Sequence, residues 1–154
     1  MNTGRYSVLL VEDDLLTTDL AHRAVVEFCH EINLTVVEGG DAVLGLLSDI
    51  IAKNEQMPHI ILMDMKLPKL DGLAVLRKLR MHAATRNVPI VTFSAAYTQA
   101  DVLMSYQVGA NSFVAKPTDY VQFGELFREQ LAYWIRQQRH KIPIAAEGDA
   151  AGRI

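Results

Sequence analysis

Ile60-Ile61-Leu62-Met63-Asp64, followed by Lys66-Leu67-Pro68-Lys69-Leu70-Asp71-Gly72, decides the fold. Four consecutive apolar residues that stop on a carboxylate have the length and continuity of a strand buried on both faces, the habit of a parallel sheet. The proline and glycine content of the next stretch marks a loop. Two distant segments repeat the design: Val8-Leu9-Leu10-Val11-Glu12-Asp13 and Ser112-Phe113-Val114-Ala115-Lys116-Pro117. Each would deliver its polar group to the carboxyl edge of the sheet, where open α/β sheets bind ligands. Three carboxylates and one ammonium are thereby expected at one place.

Outward from these segments, apolar runs alternate with helical patterns five times, which predicts a five-stranded parallel sheet with helices on both faces. The predicted strands are Ser7 to Val11, Leu34 to Val37, Ile60 to Met63, Ile90 to Phe93 and Ser112 to Ala115. The first helix carries Leu16, Leu20, Ala24 and Phe28 as its expected inward stripe. The second runs from Asp41 to Lys53 and the third from Leu73 to Met81. Thr98 and Asp101 have the spacing of a capping box for the fourth, which Gly109 would end. The fifth, Tyr120 to His140, has Asp119 as its N-cap. Residues 5–140 are expected to form one domain, with 141–154 as a flexible tail or an arm.

Composition narrows the function classes. A chain of 154 residues holds one well-buried core. Fifteen basic residues against 18 acidic ones leave a net charge of -3, without a basic surface for nucleic acid. A single cysteine, Cys29, precludes an intrachain disulfide and fits a reducing cytoplasm; a small buried thiol is its expected role. No signal-peptide core and no long apolar run point to a membrane.

The candidate site follows from the strand ends. In the order 2-1-3-4-5, the strands ending at Glu12-Asp13 and Asp64 are neighbours at the switch point. Two carboxylates about 4 Å apart repel by roughly 4 kcal/mol at an effective dielectric near 20, so the cluster calls for a cation. With no histidine or cysteine in these segments, all-oxygen ligation favours Mg²⁺ over zinc. A carboxylate there can act as a nucleophile and form an aspartyl phosphate. Lys116 can pair with phosphoryl oxygens as a point charge, and Ser94, ending the fourth strand, can donate a hydroxyl hydrogen bond.

Val11-Glu12-Asp13, Asp64, Leu67-Pro68 with Asp71-Gly72, Ser94-Ala95 and Lys116-Pro117 together resemble the receiver domain of two-component response regulators over about Ser7 to Ile135. The resemblance implies the flavodoxin-like doubly wound (βα)5 fold of CheY-like proteins. It also implies that Asp64 is phosphorylated by a sensor histidine kinase. Mg²⁺ would be held by Asp13, Asp64 and the Lys66 carbonyl, with Glu12 acting partly through water. Lys116 and Ser94 would contact the phosphoryl group, and Lys116–Pro117 would be a cis peptide aiming the lysine inward. Phe113 falls at the family's aromatic switch position, where the frequent tyrosine hydroxyl is missing. A narrower likeness is to stand-alone regulators that partner bacterial phytochromes, on Ile61-Leu62-Met63-Asp64, Leu67-Pro68-Lys69, Asn54 to Pro58, and Phe123 through Trp134.

No effector module is expected after the fifth helix, so output to a downstream protein would leave through a surface of the domain itself. Phe123, Phe127, Leu131 and Trp134 suffice for the core, leaving Leu126, Tyr133 and Ile135 beside them. Val102, Leu103, Met104, Tyr106 and Val108 make the fourth helix apolar around most of its circumference. A homodimer through the fourth helix, fifth strand and fifth helix is expected, with Ile142-Pro143-Ile144 as an arm. A phosphatase of the haloacid-dehalogenase type would need an acid where Lys66 stands. A flavin carrier would need a phosphate loop where Glu12-Asp13-Asp14 repel phosphate. A pseudo-receiver scaffold would have no use for the intact acids and Lys116.

Overall fold

The computed structural model describes residues 5–27 and 31–139. The chain runs β1 (Tyr6–Val11), α1 (Leu15–Val26), β2 (Ile32–Val37), α2 (Gly40–Ala52), β3 (Ile60–Asp64), α3 (Gly72–Met81), β4 (Ile90–Ser94), α4 (Gln99–Val108), β5 (Ser112–Ala115) and α5 (Tyr120–Arg139). All four strand pairings are parallel, in the order β2-β1-β3-β4-β5. This is the five-stranded parallel sheet that the alternating runs predict and the flavodoxin-like doubly wound fold that the resemblance implies. β3 and β4 are buried at every residue, as continuous apolar runs require. Among the described residues no helix is long and apolar enough to cross a membrane.

The strand period of two sorts the side chains into two cores. Val8 and Leu10 of β1 join Leu62, Val91 and Phe93 under α1 and α5. Leu9 and Val11 join Ile61, Met63 and Ile90 under α2 and α3. The inward face of α1 is Thr17, Ala21 and Ala24; of the predicted stripe Ala24 is buried and Leu20 packs against the core, while Leu16 does not. Leu16 is 56% exposed because the buried face lies one residue further along the chain. On α5 the buried positions are Phe123, Phe127, Leu131 and Ile135, so Ile135 takes the core place expected of Trp134, which is only partly buried.

Caps fix where the helices begin. Asp14 caps α1 and Asp119 accepts from Gln122 N–H at the start of α5. Thr98 and Asp101 form the reciprocal capping box of α4, and Gly109 ends that helix with φ +127°. At Gly72 the helix approaches the preceding loop closely: a Cβ there would lie 2.8 Å from Met65 Cα and 2.9 Å from its carbonyl oxygen.

Helix α4 is the loosest of the five in its apolar anchoring. Its one fully buried residue is Ser105, whose hydroxyl meets Thr92 Oγ1 of β4 at 2.8 Å. Leu103, Met104 and Tyr106 stay exposed. The Tyr106 hydroxyl accepts the Phe113 N–H of β5 at 3.0 Å. The far end of α4 is tied down by Arg80, which donates to the carbonyls of Gly109 and Val88 at 2.8 Å and to Asn111 Oδ1.

The readings of Phe28 in the α1 stripe, of Cys29, and of 141–154 with Ile142-Pro143-Ile144 lie outside the described residues.

Candidate functional site

Strand ends bring the predicted acids together. Glu12 and Asp13 follow β1, and Asp64 closes β3, its immediate neighbour. Each of the three offers a carboxylate oxygen, and these oxygens lie within 4.8 Å of one another. Glu12 and Asp64 are buried while Asp13 is exposed, so the cluster opens to solvent on one side. All the donors are hard oxygens, which fits a divalent cation of the Mg²⁺ or Mn²⁺ type. Asp14, the next residue, is occupied as the α1 cap.

Lys116 crosses from β5 to the acids. Its ammonium lies 2.9 Å from Glu12 Oε2 and 3.4 Å from Asp64 Oδ2. Among the described residues no peptide bond is cis, Lys116–Pro117 included, which corrects the sequence expectation. The lysine needs no cis bond to point inward: its own four-carbon stem spans the gap to the acids. Burial pulls the Lys116 ammonium's pKa down, but the hydrogen bond and charge of Glu12, with Asp64 adding to them, outweigh it and raise the pKa overall. Glu12 moves against the usual direction of a paired acid. Burial pushes its carboxyl up to about 7, although the hydrogen bonds from Lys116 and from Asp14 N–H oppose the rise. The Asp14 carboxyl is held below its ordinary range, first by the hydrogen bond from the Thr17 hydroxyl.

Lys66 and Ser94 sit beside the acids in different senses. The Lys66 N–H donates to Asp64 Oδ1 at 2.8 Å, fixing that carboxylate from the loop, while the lysine side chain is exposed. Ser94 is 1% exposed, and its hydroxyl donates to Ala96 O at 2.9 Å. Beyond Ser94 lies a cavity of about 160 Å³ lined by Met65, Lys66, Leu73, Ser94, Tyr97 and Phe113, among others. The Tyr97 and Phe113 rings meet edge to face at 5.2 Å. Sequence reading missed Tyr97 and Thr17. The spacing Asp14-x-x-Thr17 was a usable signal for the second, since an N-cap acid looks for donors three residues on.

The match to known proteins agrees with this geometry. Residues 8–128 match the family model described as the response regulator receiver domain. The chain belongs to that family. This receiver domain is 24% identical over 129 residues to response regulator Rcp1 of Synechocystis sp., covering 83% of this chain and 88% of Rcp1. It is 26% identical over 138 residues to the probable methanogenesis regulatory protein FilR2 of Methanothrix harundinacea, covering 90% and 89%. In fold it resembles the phosphorylated cyanobacterial phytochrome response regulator RcpA, with a TM-score of 0.76, 21% identity, and coverage of 87% and 96%. The Mn²⁺-bound form of Rcp1 superposes with a TM-score of 0.75 at 21% identity, covering 92% and 99%.

Proposed function

We propose that this receiver domain takes a phosphoryl group from a sensor histidine kinase onto Asp64 and signals through its α4–β5–α5 surface. The observation that carries the reading is the Lys116 ammonium bridging Glu12 and Asp64 inside a three-carboxylate cluster. Such a cluster is costly to a fold and useful to phosphoryl transfer, which needs positioning and charge neutralisation more than acid–base chemistry. An Asp64 oxygen attacks the phosphorus of the donor phosphohistidine. The P–O bond forms as the P–N bond breaks, and the electron pair leaves on the imidazole nitrogen. Lys116 pairs with a phosphoryl oxygen, and Ser94 exchanges its Ala96 acceptor for another. Asp13, Asp64 and the Lys66 carbonyl would hold Mg²⁺, with Glu12 acting partly through water; the ion supplies charge neutralisation. The domain thus modifies and later dephosphorylates itself without turning over a separate substrate.

Movement of Ser94 leaves room at the 160 Å³ cavity into which the Phe113 ring can turn, by packing alone. The exposed apolar residues Leu103, Met104 and Tyr106 of α4, with Tyr133 of α5, favour an isologous homodimer on this face. The fold shared with RcpA, a phytochrome response regulator, favours a phytochrome as the kinase partner, and the single cysteine favours the cytoplasm as the compartment.

Incubation with a small phosphodonor is expected to label the protein only with Mg²⁺, and Asp64→Asn to abolish the label. Label that survives Asp64→Asn moves the acceptor elsewhere. Sedimentation giving a clean monomer at tens of micromolar, with and without phosphorylation, removes the dimer.

A further inference from the structure

The loop carrying the acids is braced from α1 in a way that ordinary capping does not require. Thr17 is buried, 5% exposed, and donates twice to one oxygen: its hydroxyl and its N–H, the latter at 3.2 Å, both reach Asp14 Oδ2. An N-cap acid needs only the N–H. A helical threonine usually returns its hydroxyl to a carbonyl one turn back, as adjacent Thr18 does to Asp14 O at 2.7 Å. Thr17 spends its hydroxyl on the carboxylate instead. The Asp14 backbone N–H, thus anchored, donates to Glu12 Oε1 at 3.0 Å. Glu12 Oε2 is held by Lys116, so each oxygen of that buried carboxylate has a fixed donor.

We propose that Thr17 is a positioning residue for the cation-binding carboxylates: it pins Asp14, which aims a backbone N–H at Glu12. The inference rests on the cation reading of Glu12, Asp13 and Asp64. Asp14 adjoins Asp13 in sequence yet is absent from the group of converging oxygens. Without the Thr17 hydroxyl, its exposed carboxylate keeps only the backbone N–H groups of the first turn and swings through neighbouring rotamers. The Asp14 N–H then drifts, and Glu12 loses one of its two restraints. Groups that hold metal ligands in place raise affinity at such sites.

The test is Mn²⁺ affinity, read from the EPR signal of the unbound aqua ion, for the wild type, Thr17→Val, Thr17→Ser, Asp14→Ala and the Thr17→Val/Asp14→Ala double variant. Circular dichroism establishes that each is folded. Thr17→Val and Asp14→Ala are each expected to weaken binding about 10-fold, the lower end of the range typical of groups that hold metal ligands in place. The double variant should be no weaker than Asp14→Ala, because both changes break one linkage. Thr17→Ser, which restores the hydroxyl, should restore affinity. In Mg²⁺ titrations of phosphodonor labelling, the Thr17→Val defect should fall on half-saturating Mg²⁺ and not on the plateau. Affinity unchanged in Thr17→Val, unrescued by Thr17→Ser, or lost multiplicatively in the double variant overturns the proposal. If Thr17→Val does not fold, exposed Asp14→Ala with wild-type affinity overturns it equally. A wild type that binds no Mn²⁺ overturns the cation reading itself, a failure distinct from an unchanged Thr17→Val.

Discussion

Replacing Lys116 by methionine isolates the electrostatics of the acid cluster. The stem keeps its length and the charge is removed. Glu12 is 1% exposed, and burial has pushed its carboxyl up to about 7 from 4.5. Between those values the folded protein holds a proton that the unfolded chain has released. The contribution of this group to stability therefore falls as pH rises through that window, by roughly 3 kcal/mol in total. At pH 5.5 Glu12 is protonated in both proteins, and the variant loses a hydrogen bond to a neutral carboxyl, about 1 kcal/mol. At pH 8.5 the wild type has an ionised and paired Glu12. The variant must bury an unpaired carboxylate or hold its proton against solvent, which costs about 3–5 kcal/mol for half of a buried pair. The contact with Asp64 is lost at both pH values. For a domain of this size each kcal/mol moves Tm by about 2–4 °C, so the deficit should grow from a few degrees at pH 5.5 to roughly 10 °C at pH 8.5. Thermal unfolding in EDTA at the two pH values measures it. An equal loss at both, or a larger one at pH 5.5, refutes the assignment of the raised carboxyl to Glu12.

Other expectations follow from packing. Gly72→Ala drives a Cβ against the Met65 backbone and should cost about 1–3 kcal/mol in urea unfolding, with slower Mg²⁺-dependent labelling because the same loop carries the Lys66 N–H that fixes Asp64. Gly45→Ala, inside α2 with nothing within 4 Å of the new Cβ, should instead stabilise by about 0.5–1 kcal/mol in the same assay. Arg80→Met strips the donors from the Gly109, Thr85, Arg86 and Val88 carbonyls and should cost about 3 kcal/mol or more, with faster hydrogen exchange at the C-terminal end of α4.

The parts of the fold written most plainly were those with one dominant signal. Ile60–Met63 has to be a buried strand because no polar residue interrupts it, and Asp64 at its end placed the site at the carboxyl edge. Thr98 with Asp101, and Gly109, marked both ends of α4 by local chemistry that tertiary contacts did not override. The α1 stripe held at Leu20 and Ala24 and failed at Leu16, which has the hydropathy of a core residue, yet the helix turns Thr17 inward and leaves Leu16 exposed. On α5 Ile135 joins the core beside Trp134, which packs against it only partly buried: three to four residues per turn leave the phase open at the end of a long helix. The Lys116–Glu12 bridge joins residues 104 apart in sequence, so spacing could place both at the sheet edge but could not say which acid the lysine touches.

The Tyr106 hydroxyl has a consequence for solubility. β5 is one of the two outer strands of the sheet, and Lys116 N–H bonds to Ser94 O across the β4 side. Strand alternation turns the Phe113 N–H the other way, toward the rim. An unpaired rim amide is a template for a foreign strand, and here a phenol from the loosely anchored α4 covers it. A partner that draws the Tyr106 hydroxyl off the Phe113 N–H would uncover this amide, so the exposed ring of α4 and the covered edge of β5 are tied to one side chain.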